Sequence, residues 1–106
     1  MTDWTRVCAV SELPNGSCKV VDIEDVMIAV FNLDGKYHAI EDICTHDGGE
    51  LASGKVEGCE VICPRHGARF CIKTGKALTP PAYAAVDVFP LKIEEDSIWT
   101  RDDRWD

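Results

Sequence analysis

Two short segments of the chain each combine a thiol with an imidazole. The first is Cys44-Thr-His46 and the second is Cys63-Pro-Arg-His66, with sixteen residues between them. Thiolate sulfur and imidazole nitrogen are common protein ligands of transition metals. Glycine and proline flank both segments, so each backbone can curl around a metal. The candidate ligands of one metal centre are therefore Cys44, His46, Cys63 and His66.

Two kinds of metal centre suit a set of two sulfurs and two nitrogens. Zinc takes such a set as a tetrahedral structural site. A [2Fe–2S] cluster takes it with both cysteines on one iron and both histidines on the other. Zinc sites usually group cysteine with cysteine and histidine with histidine. Here each segment mixes the two types, so each loop can reach both irons, which favours the cluster. A zinc site is the alternative.

The elements that must position these side chains are strands. Runs rich in β-branched and aromatic residues occupy 4–9, 19–23, 26–31, 36–41, 85–94 and 97–100. The segment Asn-Leu-Asp-Gly at 32–35 is a strong turn signal between two of them. No stretch of ten or more residues has a capped helical stripe. The sequence predicts an all-β fold, a small antiparallel barrel or sandwich.

The pattern changes between residues 42 and 83. Strand-like runs shorten to 60–62 and 69–72, and glycine or proline recurs every few residues. This pattern indicates a loop-rich subdomain inserted between strands. A chain of 106 residues has room for one domain. We therefore expect one domain over 1–106, with a base formed by about 1–41 and 84–106 and a metal-binding subdomain at about 42–83.

These motifs together resemble the Rieske family. Its cluster motif is Cys-x-His followed, after about sixteen residues, by Cys-x-x-His. The run Cys-Pro-Arg-His-Gly-Ala-Arg-Phe at 63–70 and Thr74-Gly75 are similar to the second cluster loop and its following turn. Residues 10–16 resemble the family's amino-terminal segment, and Pro80-Pro81 its proline loop over the cluster. The resemblance implies one [2Fe–2S] cluster.

The resemblance also implies a role for each ligand. Cys44 and Cys63 would bind the inner, ferric iron. His46 and His66 would bind the outer iron, which takes up the added electron and lies at the protein tip.

The sequence departs from the high-potential Rieske proteins of respiratory and photosynthetic complexes. Gly49 and Arg65 stand where those proteins have a disulfide, and Ala68 and Phe70 where they have a serine and a tyrosine that bond cluster and ligand sulfurs. Fewer hydrogen bonds to sulfur imply a lower potential, near about −150 mV. The chain thus resembles the ferredoxins of bacterial ring-hydroxylating dioxygenases.

The resemblance implies a soluble, cytoplasmic one-electron carrier for aromatic hydrocarbon catabolism. An NAD(P)H-dependent flavin reductase would supply the electron, and a terminal Rieske oxygenase would accept it. We expect no catalytic residue, because only His38 remains after the cluster is built, which is too few for a two-histidine, one-carboxylate iron site. The alternatives are a small Rieske subunit of a reductase complex and a structural zinc module.

Composition agrees with these expectations. The net charge of −8 argues against nucleic acid and against an anionic membrane surface as partners. It suits basic patches on protein partners, although it also serves plain solubility. No apolar run is long enough for a membrane span, and residues 1–7 do not resemble a signal peptide. In a reducing compartment the six cysteines are expected to be free thiols or metal ligands.

Expectations for the remaining residues are structural. Cys8, Cys18, Cys59 and Cys71 are expected to be small buried hydrophobic residues. His38 is expected to be a structural or surface residue, and 101–106 a frayed end. Arg65 is either a solvated loop charge or a docking residue.

In the last predicted strands, the alternation of apolar residues changes phase. Val86 and Val88 alternate in one phase, whereas Leu91 and Ile93 alternate in the other. We expect a β-bulge near 88–90 that turns all four side chains toward the core.

Overall fold

The computed structural model describes residues 3–45 and 48–104, which form ten strands and one 3-10 helix, Val10–Glu12. The strands are β1 (Thr5–Ala9), β2 (Cys18–Ile23), β3 (Val26–Leu33), β4 (Lys36–Glu41), β5 (Val56–Glu57), β6 (Glu60–Ile62), β7 (Arg69–Cys71), β8 (Val88–Phe89), β9 (Leu91–Glu94) and β10 (Ser97–Thr100). The all-β prediction is confirmed. Among the described residues no helix is long and apolar enough to cross a membrane.

The strands form three antiparallel sheets. Their orders are β1-β10-β9, β2-β3-β4-β8 and β5-β6-β7. The predicted turn at 32–35 joins β3 to β4, with Leu33 opposite Lys36 and with Asp34 and Gly35 at φ +54° and +86°. Positive φ at both central residues is the two-residue turn that matches strand twist. The Asn32 side chain accepts a hydrogen bond from the Gly35 N–H at 2.8 Å, which fixes this turn.

Two hydrophobic cores share the central strand β3. Its residues Ile28 and Val30 face a core that also contains Cys8, Leu13, Ile23, Ala39, Phe89 and Ile98. Its residues Ala29 and Phe31 face a second core, built with Ile40, Leu51, Val61, Phe70, Ile72 and both candidate cysteine ligands. Because both faces of β3 are covered, its sequence is a continuous apolar run rather than an alternating one.

The predicted bulge near 88–90, with four side chains facing the core, is wrong. β8 pairs with β4, whereas β9 pairs with β10 in another sheet, so the chain changes sheets at Pro90. Proline has no N–H to donate and ends the first ladder. Val86 is buried and Leu91 half-buried as expected, but Val88 and Ile93 are exposed at 45% and 56%. The phase change marks a change of sheet.

The carboxyl-terminal segment is anchored as far as Arg104, which corrects the expectation of a frayed end. Its guanidinium donates hydrogen bonds to Asp102, Asp87 and Glu41 at 2.9, 2.9 and 3.2 Å. It also lies 5.1 Å from the centre of the Phe89 ring. The segment is therefore tied to the ends of β4 and β8. Residues 105 and 106 lie outside the described part of the chain.

The remaining cysteines are less uniform than expected. Cys8 is buried, as predicted. Cys18, Cys59 and Cys71 are only half-buried, so the prediction of full burial is wrong for these three. His38 lies on β4 and its ring is half-buried, as expected of a structural residue. Its Nε2 is buried and has no hydrogen-bond partner among the described residues.

Candidate metal centre

The first candidate cysteine begins a loop that two backbone hydrogen bonds close. The N–H of Cys44 donates to the carbonyl of Gly49 at 2.6 Å, and the N–H of Gly48 donates to the carbonyl of Cys44 at 2.8 Å. The two ends of the loop 44–49 are therefore held together by backbone hydrogen bonds. His46 belongs to this loop and lies outside the described residues.

The second candidate cysteine begins a loop of the same construction. The N–H of Cys63 donates to the carbonyl of Ala68 at 2.7 Å, and the N–H of Gly67 donates to the carbonyl of Cys63 at 3.0 Å. Gly48 and Gly67 hold equivalent places and have φ of +77° and +76°. A Cβ at either glycine would meet no atom within 4 Å, so the requirement for glycine lies in the backbone angle.

The two loops present their ligands at different depths. Cys44 and Cys63 are each 1% exposed and lie in one core with Leu51 and Phe70. His66, in contrast, is exposed. The structure thus brings the two cysteines together beneath the surface and leaves His66 outside. This matches a cluster whose cysteine-bound iron is inside and whose histidine-bound iron is at the surface.

The donor set suits a dinuclear centre. Cys44 and Cys63 are buried, whereas His66 is exposed. A dinuclear cluster binds its cysteines and its histidines to different irons, so its ligands can lie at different depths. A single zinc ion would instead bind all of these ligands in one coordination sphere.

The Asp42 side chain joins the chain before the first loop to the chain after it. One carboxylate oxygen, Oδ1, accepts hydrogen bonds from the N–H groups of Leu51 and Ala52 at 2.7 and 2.8 Å. The Asp42 N–H donates to the carbonyl of Met27 on β3 at 2.8 Å. Asp42 therefore joins the start of the first loop, the chain after it and the central strand. Sequence reasoning missed it, because a lone aspartate carries no signal of partners nine residues away.

The segment 79–84, which contains Pro80 and Pro81, contacts both loops. The Thr45 hydroxyl donates to the carbonyl of Ala84 at 2.6 Å, which ties this segment to the first loop. The N–H of Arg69 donates to the Thr79 hydroxyl oxygen at 2.9 Å, which ties it to the strand after the second loop. Between these anchors, Ala82 is buried in the core that contains both cysteines. The segment thus holds the two loops in a fixed relation.

Salt bridges join the three strands of the sheet that carries the second loop. The Arg69 guanidinium lies 2.8 Å from a Glu57 carboxylate oxygen and 3.3 Å from one of Glu60, so it links β7 to β5 and β6. The hydrogen bond from Arg69 lowers the pKa of Glu57. Because these side chains are 35–44% exposed, solvent screens the ion pairs, and we assign them a positioning role with a small contribution to stability.

Ala68 and Phe70 occupy the positions where the resemblance places hydroxyl groups in high-potential Rieske proteins. Ala68 and Phe70 are both completely buried in the core that contains Cys44 and Cys63. Ala68 also supplies the carbonyl that closes the second loop. Neither side chain has a hydrogen-bond donor. The sulfur environment therefore lacks two donors that the resemblance implies for high-potential relatives.

Comparison with known proteins identifies the family. Residues 3–90 match the model of the Rieske [2Fe-2S] domain. The biphenyl dioxygenase ferredoxin subunit of Pseudomonas sp. (strain KKS102) is 37% identical, with 86% of this chain and 84% of that protein covered. The 3-phenylpropionate/cinnamic acid dioxygenase ferredoxin subunit of Shigella flexneri serotype 5b (strain 8401) is 39% identical, with 87% of each covered.

A solved structure agrees with these relatives. A chain in the complex of reduced oxygenase and oxidized ferredoxin in carbazole 1,9a-dioxygenase superposes with a TM-score of 0.87, at 30% identity, over 92% of this chain and 91% of that chain. The protein belongs to the Rieske [2Fe–2S] domain family. Its cofactor is a Rieske-type [2Fe–2S] cluster, and the predicted resemblance is confirmed.

Replacing Asp42 tests the support of the first loop. Asp42→Ala leaves the N–H groups of Leu51 and Ala52 without their acceptor, and hydrogen bonds to a charged group contribute about 1.5–3 kcal/mol. We expect a lower melting temperature and faster loss of the visible spectrum on warming. Asp42→Asn is the matched control, since it keeps an oxygen at Oδ1 and should lose less. Equal loss in both variants would show that charge, and not the acceptor, matters.

Restoring hydroxyl groups tests the sulfur environment. Ala68→Ser and Phe70→Tyr together should raise the midpoint potential, because hydrogen bonds to sulfur stabilise the added electron. Voltammetry measures the shift, and the unaltered protein provides the reference. An unchanged potential in a variant with an intact cluster spectrum would show that the hydroxyls do not reach the sulfurs.

Proposed function

We propose that Cys44, His46, Cys63 and His66 are the four ligands of the cluster. The observation that carries the assignment is the matched pair of loops, each beginning at a buried cysteine and closed by two equivalent backbone hydrogen bonds. The motif supplies one histidine to each loop. We also propose residues 42–83 as the cluster-binding subdomain, on a base formed by 1–41 and 84–106.

The function is that of an electron carrier. The relatives above are ferredoxin subunits of dioxygenase systems, and the solved relative is a ferredoxin in complex with an oxygenase. By analogy, an NAD(P)H-dependent flavin reductase reduces this protein in the cytoplasm, and a terminal Rieske oxygenase oxidises it. The small reductase subunit is a weaker alternative, since the relatives named above are ferredoxins.

The arrangement of the site suits transfer at the histidine side. Cys44 and Cys63 are buried, so an iron that they held would be shielded by protein. His66 is exposed, so an iron that it held would lie nearest to a partner. The net charge of −8 accelerates encounter with a basic docking surface. Electron entry and exit therefore share one surface, and the protein moves between its two partners.

Ligand substitutions test the assignment. Cys44→Ser and His66→Ala each remove one of two protein ligands from an iron, so we expect loss of the intact cluster and of stability, because metal binding is coupled to folding. Visible and EPR spectra measure the cluster. Cys18→Ala and His38→Gln are matched controls that should keep both spectra. A full Rieske spectrum in Cys44→Ser or His66→Ala would refute the ligand set.

Electron delivery tests the function. The protein, reduced by one electron per cluster, is mixed anaerobically with the oxidised oxygenase of the biphenyl dioxygenase system from the Pseudomonas strain named above. We expect rapid reoxidation of the ferredoxin, followed by its absorbance in a stopped-flow spectrometer, and slower transfer at high salt because the encounter is electrostatic. Bovine serum albumin in place of the oxygenase is the control. Reoxidation no faster than with albumin would contradict the carrier role.

A further inference from the structure

A third loop in the subdomain repeats the construction of the two cluster loops. The N–H of Cys71 donates to the carbonyl of Lys76 at 2.9 Å, and the N–H of Gly75 donates to the carbonyl of Cys71 at 2.7 Å. Gly75 has φ of +77°, like the glycines of the cluster loops. Cys71 therefore holds the position that a ligand holds in each cluster loop, although it is not one of the proposed ligands.

A second cysteine, Cys59, precedes the residue that lies opposite Cys71 in the sheet. Cys71 on β7 pairs with Glu60 on β6, and the next residue, Ile72, donates its N–H to the carbonyl of Cys59 at 2.8 Å. The Cys59 side chain is close enough to the Cys71 thiol to lower its pKa. Both residues are half-buried. The fold thus brings two thiols together outside the cluster site, with neither sealed in the core.

The surroundings of Cys71 favour its thiolate form. Burial alone would raise the pKa of Cys71, but hydrogen bonds from the Thr74 hydroxyl, from the N–H groups of Thr74 and Lys73 and from Cys59 together lower it. Burial and the charges of Asp42 and Glu50 have the opposite effect on Cys18, whose pKa rises to about 12. Because the thiolate is the nucleophile, Cys71 should react much faster than Cys18.

A surface cleft gives reagents access to Cys59, one member of this pair. The cleft has a volume of about 330 Å³ and is lined by Leu33, Asp34, Lys36, Gly58, Cys59 and Lys73. Its two lysines and single aspartate give it a positive balance. Glutathione carries two carboxylates and one ammonium group, so its disulfide has a net negative charge that suits this cleft.

We propose that Cys59 and Cys71 are a redox-active thiol pair, which a small-molecule disulfide such as oxidised glutathione converts into an intramolecular disulfide. The Cys71 thiolate attacks one sulfur of oxidised glutathione, and one glutathione leaves as its thiolate. The Cys59 thiol loses its proton and attacks the Cys71 sulfur of the mixed disulfide, and the second glutathione leaves. Two protein thiols are oxidised and one glutathione disulfide is reduced to two thiols.

The bond would have a consequence for the cluster. It closes residues 59–71 into a ring that contains the whole second cluster loop, 63–68. A ring restricts the opened conformations through which a loop releases its metal, since cross-links act mainly on disordered states. The disulfide should therefore slow cluster loss. This consequence rests on the proposed ligand set, whereas formation of the bond does not.

Peptide mapping tests the bond. The holoprotein is incubated anaerobically with oxidised glutathione, its free thiols are blocked with N-ethylmaleimide, and it is digested with trypsin. We expect Val-Glu-Gly-Cys-Glu-Val-Ile-Cys-Pro-Arg (56–65) linked to Phe-Cys-Ile-Lys (70–73), with fragmentation placing the bond at Cys59. Dithiothreitol should reverse it, and Cys18 should stay unlinked. Free Cys59 and Cys71 after treatment, or a bond from Cys71 to another cysteine, would overturn the proposal.

Single variants test the order of reaction and guard against misfolding. Cys59→Ser should accumulate glutathione on Cys71, because the resolving thiol is gone. Cys71→Ser should leave Cys59 largely unmodified. Both variants should retain the visible spectrum of the cluster, since neither residue is a proposed ligand. Glutathione on Cys59 in Cys71→Ser, at the rate of the unaltered protein, would show that Cys71 is not the attacking thiol.

Chelation tests the consequence. Cluster loss to excess EDTA is followed by visible absorbance for the oxidised and the reduced pair. We expect loss to be slower by roughly threefold or more when the disulfide is present. Cys59→Ser, treated identically, should show no difference. A mapped disulfide with an unchanged rate would overturn the protective role, and loss of the cluster spectrum in Cys59→Ser or Cys71→Ser would instead contradict the proposed ligand set.

Discussion

The segment 42–83 depends on one repeated interaction, the pair of backbone hydrogen bonds that closes a loop at its first residue, a cysteine. In the loops at 44–49 and 63–68 the cysteine both donates to and accepts from the far end of its own loop. The backbone around each thiol is therefore fixed by local bonds before any metal is considered. Asp42, Thr45 and Arg69 then attach the loops to neighbouring segments. The two cysteines are therefore preorganised for the proposed cluster, which would reduce the entropy that metal binding must overcome.

The same interaction has different chemical outcomes because its surroundings differ. Cys44 and Cys63 lie inside an apolar core, where a bound metal is shielded from water. Cys71 begins an equivalent loop but lies half-buried at the outer end of its sheet, beside Cys59. Backbone N–H groups of Thr74 and Lys73 stabilise negative charge on the Cys71 sulfur. Position in the fold therefore decides whether the sulfur that begins such a loop is suited to a metal or to a small reagent.

Local patterns in the sequence predicted the all-β class, the turn at 32–35 and the family, because each depends on neighbouring residues. The change of sheet at Pro90 was misread as a bulge, since alternation shows a change of face but not which sheet supplies the new partner. The anchoring of Arg104 was missed for a related reason: it requires Glu41 and Asp87, which are distant in sequence. The motif likewise predicts four ligands but not the hydrogen bonds that Asp42 accepts from Leu51 and Ala52 beside the first loop.

Because both faces of β3 are buried, the cluster loops cannot be separated from the rest of the fold as an independent unit. Its alternate residues close two cores, so the wall beneath the two cysteines is supplied by a strand that also completes the opposite side of the molecule. Excising 42–83 would remove Ala29, Phe31 and Ile40 from that wall and expose the apolar floor of the cluster loops. A graft of these loops into another scaffold must therefore bring β3 and β4 with it.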